Sequence, residues 1–371
     1  MKSSEIKNLA ILGCTGSVGR QTLSVVDAHP ELFRVKALTA YGNEKALDAL
    51  TAKYAPEFSA LTARDGDEAN ITAATLDSVD TVVIAITGMK AIFPLRAALK
   101  AKKRVALANK ESIVCGGELL KAELDENRDR LLPVDSEHSA LFQCMQGLSN
   151  RGEVSRIILT ASGGPFRDYT AEQLKNVTVE MALRHPSWNM GRKITIDCAT
   201  LANKGLEVIE AHVLFGIGAD QIDVLIHPGS IVHSFVETID GALLAQLGAP
   251  DMRLPIQYAL TWPKRLDSPV KRLSAADLAT LRFELPDTQR FPALRMAYDA
   301  LKAGGTATAV YNAANEMAVS AFLEGKAGFL EIPAAIESAL CAIPTRIPDS
   351  FEEILDADRR AREHVLKRIA R

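Results

Sequence analysis

The chain has 371 residues, enough for two or three domains. Hydrophobic residues make up 47% and charged residues 24%, the balance of an ordinary globular protein. The formal net charge of -3 gives no electrostatic reason to expect nucleic acid or an anionic membrane as a partner. No apolar run reaches the roughly 18 residues of a membrane-spanning helix. The five cysteines are odd in number and have no C-x-x-C spacing, which favours reduced thiols and a cytoplasmic location.

A glycine-rich turn follows the first strand-like run, residues 9–12, and leads into a helical pattern over residues 20–28. We expect no signal or transit peptide before this strand. The spacing Gly13, Gly16 and Gly19 lets the backbone approach a pyrophosphate, and the first N–H groups of the helix face the same ligand. The pattern predicts a dinucleotide site, and a turn that binds nothing is the alternative.

The second predicted strand, residues 34–40, indicates which dinucleotide binds. In NAD enzymes an acidic residue at the end of this strand usually holds the ribose hydroxyls. Here Tyr41, Gly42 and Asn43 follow the strand instead, although Glu44 comes next. Because no carboxylate stands at the strand end to repel a 2′-phosphate, we predict NADPH.

Further strand-like runs over residues 81–86, 104–108 and 131–134 alternate with helical stretches. This alternation predicts a parallel, doubly wound sheet. Ligands of such sheets bind beyond the carboxyl ends of the strands. Lys110, between Asn109 and Glu111, follows one of these strands and is either a site lysine or part of a surface turn.

Two carboxylates, Asp135 and Glu137, follow the last of these strands with Ser136 between them. Residues two apart in extended chain point the same way, so both carboxylates can converge on one divalent cation. In the alternative, Asp135 caps a helix that starts at Ser136 and Glu137 is a charge in its first turn.

After residue 150 the character of the chain changes. Ser162 and the two glycines after it offer N–H groups and a hydroxyl, which suits either a phosphate cradle or a plain turn. The loop over residues 185–193 combines Pro, Gly, Trp188 and Met190 with two cations, so it is either a lid over a ligand or a segment packed on a neighbouring domain.

Residues 193–197 are predicted to form a strand that continues into a helix reaching about residue 214. On that helix Asn203 and Glu207 share a face. Glu207 is therefore a candidate third ligand for the cation near Asp135, or an exposed helix charge.

Residues 221–227, 231–238 and 242–247 are predicted as antiparallel strands, with a hairpin turn at Asp240 and Gly241. Their apolar alternation suits packing against helices or a second subunit. Residues 265–300 are a predicted connection, and Ser350 is predicted to cap a long C-terminal helix. The predicted domains are a Rossmann-like domain at 1–150, a central α+β catalytic domain at 151–264, the connection at 265–300 and a helical domain at 301–371.

Taken together, these motifs identify a family. The sequence resembles the 1-deoxy-D-xylulose 5-phosphate reductoisomerases over nearly its whole length. Each motif alone is weak evidence for this family, but the whole set in this order along the chain is specific to it. The motifs are Gly13-Cys14-Thr15-Gly16-Ser17-Val18-Gly19, Leu107-Ala108-Asn109-Lys110-Glu111-Ser112, Val134-Asp135-Ser136-Glu137-His138, Ser162-Gly163-Gly164-Pro165-Phe166, residues 185–193, residues 197–207, residues 245–253 and Asn312-Ala313-Ala314-Asn315-Glu316.

The resemblance implies a role for each matching residue. The ligands of one Mn²⁺ or Mg²⁺ ion per subunit would be Asp135, Glu137 and Glu207. Contacts to the phosphate and the rest of the substrate would come from Ser162, Cys198, Asn203, Lys204, Lys110, Ser136, Glu137, Glu207 and His185. The implied catalytic residues are Lys110, Glu137 and His185. The implied NADPH contacts are Thr15, Gly16, Ser17, Val18, Gly42, Asn43, Asn109, Glu111 and Gly191, and the implied lid residues are Trp188 and Met190.

The implied reaction is the NADPH- and metal-dependent conversion of 1-deoxy-D-xylulose 5-phosphate to 2-C-methyl-D-erythritol 4-phosphate, in non-mevalonate isoprenoid biosynthesis, by a cytoplasmic homodimer. Cys198 departs from the family, which usually has Ser there, and a thiol is the weaker hydrogen-bond donor. Two other functions fit part of the pattern: a metal-free NADPH reductase of a phosphorylated aldehyde, and a non-catalytic NADPH-sensing protein.

Overall fold

The computed structural model describes residues 6–184, 188 and 190–370, which form two compact units. The first unit consists of the described residues within Met1–Ser112, Leu120–Ser139 and Asp251–Lys271. The second consists of those within Ile113–Leu119, Ala140–Pro250 and Arg272–Arg371. In these described stretches, no helix combines the length and the apolar character needed to cross a membrane.

A six-stranded parallel sheet forms the centre of the first unit, with the strand order β3-β2-β1-β4-β5-β6. The central strands are almost wholly buried, as expected where helices cover both faces of a parallel sheet. This confirms the predicted doubly wound α/β fold. The strands are β1 (Lys7–Leu12), β2 (Phe33–Ala40), β3 (Phe58–Leu61), β4 (Thr81–Ile84), β5 (Arg104–Leu107) and β6 (Leu131–Pro133).

The second unit contains a four-stranded mixed sheet with the order β10-β9-β7-β8. The hairpin between β9 and β10 turns at Gly241, as predicted. The prediction that the strand near residues 221–227 is antiparallel was wrong, because β8 pairs in parallel with β7. The long helical crossover between these two strands permits that pairing. The strands are β7 (Val154–Ala161), β8 (Ile222–Ile226), β9 (Val232–Thr238) and β10 (Leu243–Leu247).

Seventeen α-helical segments accompany these strands in the described part of the chain. The C-terminal region is helical, as predicted, and the Ser350 hydroxyl caps its last helix. The helices are α1 (Ser17–Ala28), α2 (Glu44–Tyr54), α3 (Thr62–Asp65), α4 (Glu68–Thr75), α5 (Ile92–Lys100), α6 (Glu111–Glu126), α7 (Ser136–Met145), α8 (Ala171–Leu174), α9 (Val179–Ala182), α10 (Arg192–Thr200), α11 (Ala202–Phe215), α12 (Arg253–Thr261), α13 (Ala275–Leu278), α14 (Ala293–Ala303), α15 (Ala307–Leu323), α16 (Glu331–Ala342) and α17 (Phe351–Ile369).

Residues 193–197 were wrongly predicted as a strand, since they lie inside helix α10. Ile194 and Ile196 are two positions apart, which is the apolar spacing expected on one face of a strand. In the fold, Ile196 packs into the core of the second unit and Thr195 and Thr200 are buried, so tertiary packing outweighs their weak helix propensity.

Helix α10 is fixed to helix α15 by a buried charge. The Asp197 carboxylate is 1% exposed, accepts a hydrogen bond from the Asn315 amide at 2.8 Å, and pairs with the Lys193 ammonium at 2.8 Å. A hydrogen bond to a buried charge contributes more to stability than one between neutral groups. Asn315 therefore helps to position the helix that carries Cys198.

We predict that Asn315→Ala lowers the free energy of unfolding by about 1–2 kcal/mol more than Asn312→Ala does. Asn312 is the matched control because it lies on the same helix, is equally buried, and donates to Glu316, which is more exposed than Asp197. Urea unfolding of the two variants measures the difference. Equal losses would show that the bond to Asp197 contributes nothing beyond side-chain packing.

Candidate active site

The glycine-rich turn after β1 is held tightly against the sheet. The N–H groups of Gly13 and Cys14 both donate to the Thr39 carbonyl at 2.9 Å, and Gly13 has a φ of +86°. A Cβ on Gly19 would collide with the Gly13 carbonyl oxygen, so this close approach requires glycine. Helix α1 then starts without a side-chain cap or an acidic residue in its first turn. Its N-terminus is therefore well suited to an anion.

Most of the residues predicted to contact the cofactor lie at one edge of the six-stranded sheet. They follow the carboxyl ends of β1, β2 and β5, the edge at which doubly wound folds bind ligands. The Asn109 amide donates to the Glu111 carboxylate at 2.9 Å and to the Ile86 carbonyl at 3.0 Å, which holds these side chains in place. Eight of the nine predicted contacts belong to this group: Thr15, Gly16, Ser17, Val18, Gly42, Asn43, Asn109 and Glu111.

Gly191 is the ninth predicted cofactor residue, and it lies in the second unit as the N-cap of α10. It is exposed, and no acidic residue lies in the first turn of that helix.

Asp135 and Glu137 lie beside each other in the first unit, with oxygen atoms within 4.8 Å. Helix α7 begins at Ser136, so the argument from extended chain does not explain their proximity. The Lys110 ammonium lies 2.7 Å from the Asp135 carboxylate, and the Ser136 hydroxyl donates to Glu137 at 2.5 Å. Both carboxylates are only partly exposed, and each has a polar partner in the first unit.

In the second unit, the turn after β7 packs against the end of α10. Gly164 has a φ of +66°, and a Cβ there would lie 2.8 Å from the Cys198 carbonyl oxygen. The N–H of Gly164 donates to the Ser162 hydroxyl at 3.2 Å. The predicted phosphate residues Ser162 and Cys198 therefore lie on neighbouring backbone segments.

Helix α11 carries the other three candidate residues of the second unit. Glu207 is 1% exposed, which contradicts the alternative that it is an exposed helix charge. The Asn203 amide donates to its carboxylate at 2.5 Å, and the buried Lys204 ammonium forms an ion pair with it. A carboxylate, an ammonium group and an amide thus meet on one buried helix face.

Trp188 and Met190, the two predicted lid residues, are half-buried. The Trp188 ring lies 6.2 Å from the ring of His233, centroid to centroid. Burial lowers the pKa of His233 to about 4, so this neighbour is uncharged at neutral pH. His185, also predicted as a site residue, lies outside the described residues.

The contact between Asp197 and Asn315 was not predicted from the sequence. Asn315 belongs to a motif that supports the family resemblance, but it lies 118 residues from Asp197. A polar pair at that separation leaves no local pattern in the sequence.

Comparison with known proteins gives a consistent result across the chain. Three family models match: 1-deoxy-D-xylulose 5-phosphate reductoisomerase over residues 9–117, its C-terminal domain over 131–215, and the DXP reductoisomerase C-terminal domain over 247–364. The reductoisomerase of Chlorobium chlorochromatii is 52% identical, covering 96% of this chain and 98% of that protein. That of Pelotomaculum thermopropionicum is 49% identical, covering 98% of each.

Solved structures agree with these matches. A Zymomonas mobilis 1-deoxy-D-xylulose 5-phosphate reductoisomerase in complex with NADPH superposes with a TM-score of 0.88 at 40% identity, covering 98% of this chain and 99% of that one. A DOX-P reductoisomerase in complex with NADPH, fosmidomycin and magnesium gives 0.91 at 37% identity, covering 98% of each chain.

The doubly wound sheet, together with the matching NADPH-complexed structure, places the chain among the NADPH-dependent oxidoreductases with a Rossmann-like domain. More particularly, identity near 50% over almost the full length shows that the chain belongs to the 1-deoxy-D-xylulose 5-phosphate reductoisomerase family.

Proposed function

We propose that this chain converts 1-deoxy-D-xylulose 5-phosphate to 2-C-methyl-D-erythritol 4-phosphate, using NADPH and a divalent cation, in non-mevalonate isoprenoid precursor biosynthesis. The observation that carries the proposal is the buried Glu207 with Lys204 and Asn203 on one helix face, in a chain of this family. Related proteins have been solved with NADPH, with magnesium and with fosmidomycin.

The proposed ligands of the cation, Mn²⁺ or Mg²⁺, are Asp135 and Glu137 of the first unit and Glu207 of the second. Their chemistry fits, since hard divalent cations take carboxylate oxygens, and Asp135 and Glu137 already have oxygens within 4.8 Å of each other. When bound, the cation acts as a Lewis acid that stabilises negative charge on two adjacent substrate oxygens.

The proposed phosphate contacts are Ser162, Asn203, Lys204 and Cys198, all in the second unit. Lys204 supplies a buried positive charge and Asn203 supplies amide donors. The Cys198 thiol is a weaker donor than the serine hydroxyl that is usual in the family. We therefore expect Lys204 and Asn203 to provide most of the affinity for the phosphate.

Lys204 has two proposed partners, Glu207 and the substrate phosphate. In the structure its ammonium neutralises Glu207. A cation on Glu207 would take over that neutralisation, leaving the lysine charge to the phosphate. Lys110 stands in the same relation to Asp135, at 2.7 Å. Each lysine thus forms an ion pair with a candidate ligand and is also a proposed substrate contact.

NADPH is proposed to bind at the glycine turn after β1 with its pyrophosphate at the start of α1, in contact with Thr15, Gly16, Ser17 and Val18. Gly42, Asn43, Asn109 and Glu111 at the same sheet edge, and Gly191 of the second unit, complete the proposed cofactor contacts. The cofactor supplies the hydride.

Proton transfer is assigned to groups that can gain or release a proton beside the substrate. Lys110 and Glu137 are the proposed pair, with His185 as a further candidate. The Ser136 hydroxyl, 2.5 Å from Glu137, orients that carboxylate and contacts the substrate in our proposal. Trp188 and Met190 are proposed to close over the bound substrate and keep water out.

The two competing functions explain less. A metal-free reductase leaves the buried Glu207 and the Asp135–Glu137 pair without a purpose, although burying a carboxylate is costly. A non-catalytic NADPH sensor would need neither these carboxylates nor the buried Lys204.

A homodimer is proposed from the edge strand β10. Leu243, Leu244 and Leu247 on this strand and Ile239 just before it are exposed large apolar side chains. An exposed apolar edge strand invites pairing with another chain, and a second copy would cover it. We also propose a cytoplasmic location, in keeping with five described cysteines that form no disulfide with one another.

We predict that Glu207→Gln lowers turnover about 100-fold or more and weakens Mn²⁺ binding, because the amide cannot supply the anionic ligand. Calorimetry with Mn²⁺ alone measures the binding, and NADPH affinity should stay within about twofold. Glu316→Gln is the control, since it removes a carboxylate from another ion pair of the second unit, with Arg362. If Glu207→Gln binds Mn²⁺ as wild type does, Glu207 is not a metal ligand.

We predict that a phosphonate carrying a hydroxamate, added with Mn²⁺, changes the intrinsic fluorescence through Trp188. The chain has two tryptophans, and Trp262 is held by a hydrogen bond from Arg104 to its carbonyl at 3.2 Å. The change should vanish in Trp188→Phe and remain in Trp262→Phe, because only the first ring moves to a drier environment. A signal that persists in Trp188→Phe would remove the lid from the proposal.

A further inference from the structure

The unexplained feature of the cofactor edge is which residue recognises the 2′-phosphate that distinguishes NADPH from NADH. The loop after β2 offers Tyr41, Gly42 and Asn43, none of which carries a positive charge. The glycine-rich turn and the N-terminus of α1 can bind the pyrophosphate of NADPH and of NADH equally well. A cation close to the end of β2 would supply that discrimination.

Strand β3 brings such a cation to this position. It pairs in parallel with β2, with Leu61 opposite Ala40, so both strands end at the same edge. The N–H of Ala63 donates to the Tyr41 carbonyl at 3.0 Å, which ties the segment after β3 to the loop after β2. Arg64 is the next residue, in the short helix α3.

The Arg64 guanidinium is oriented by two carboxylates. Its Nη1 donates to Glu44 at 2.9 Å, and its Nε and Nη2 donate to Asp65 at 2.8 and 3.1 Å. The Asp65 carboxylate is in turn fixed by the N–H of Leu61 at 2.9 Å. A guanidinium has five N–H donors, so two remain for a further acceptor. The side chain is 62% exposed, which leaves it open to a ligand.

The same contact accounts for Glu44, the acidic residue that weakened the prediction of NADPH. Its carboxylate is paired with Arg64 and is therefore neutralised beside the strand end. A free acid there would favour ribose hydroxyls and repel a phosphate. The ion pair with Arg64 weakens both effects.

We propose that Arg64 is the specificity-determining residue for NADPH, donating to the 2′-phosphate while Asp65 and Glu44 hold its guanidinium in place. The inference rests on the proposed use of NADPH. It adds a residue from β3–α3 to the proposed cofactor contacts that follow β1, β2 and β5 in the first unit. Arginine suits the task because its planar fork binds phosphate oxygens in pairs.

The test is to measure the dissociation constants of NADPH and NADH for wild type and Arg64→Ala, without substrate or metal. We expect Arg64→Ala to weaken NADPH about 10- to 100-fold, the range for charge-assisted hydrogen bonds, and to leave NADH within about twofold. Arg64→Lys should recover part of the loss. A purely structural role for Arg64 would weaken both dinucleotides alike, which would overturn the proposal.

Two control variants distinguish a specific effect of Arg64 on NADPH affinity from the general effect of removing a positive charge. Arg128→Ala removes another exposed arginine of the first unit, one paired with Asp125, and should leave both constants unchanged. Lys45→Ala removes the exposed cation next to Glu44. If Lys45→Ala abolishes the preference and Arg64→Ala preserves it, the assignment to Arg64 is wrong. A wild type that binds neither dinucleotide would contradict the proposed function itself.

Discussion

The candidate site depends on partners that compensate the charge of its carboxylates. Moving an ionised carboxylate out of water costs several kcal/mol unless a partner of opposite charge and hydrogen-bond donors replace the lost hydration. Glu207 receives both from Lys204 and Asn203 of its own helix. Asp135 receives a charge from Lys110, and Glu137 a hydroxyl from Ser136. Each unit therefore carries candidate ligands that already have partners within the same unit.

This compensation has a chemical consequence. Lys110 and Lys204, which pair with the carboxylates, are also proposed to bind the substrate. The affinity for the cation and the affinity for the phosphorylated sugar therefore both depend on these two lysines. Helix α10 adds a structural requirement, because its end packs against the turn at Ser162 through the contact at Gly164. The contact between Asp197 and Asn315 anchors α10 to the helical core of the second unit. A residue far from the chemistry thus helps to fix the proposed phosphate site.

Much of this arrangement could be predicted from local pattern. The alternation of strands and helices predicted the parallel sheet, and the glycine spacing predicted the tight turn, because both are set by neighbours in sequence. Helical spacing also predicted that Asn203 and Glu207 share a face. Besides the contact between Asp197 and Asn315, three features could not be predicted, each for a physical reason. Residues 193–197 have the apolar period of a strand but fold as a helix. Strand β8 pairs in parallel with β7, which is connected to it by a long helical crossover. Strand β3 has only four residues, so Arg64 could not be placed beside Glu44.

The most direct test of the central claim is the dependence of turnover on the cation. NADPH oxidation with 1-deoxy-D-xylulose 5-phosphate would be followed in the wild-type protein after complete removal of divalent ions, and again after Mn²⁺ is restored. The account predicts that turnover is lost on removal and returns with Mn²⁺, while NADPH binding is unaffected throughout. Turnover that continues at its full rate in the absence of divalent ions would contradict it.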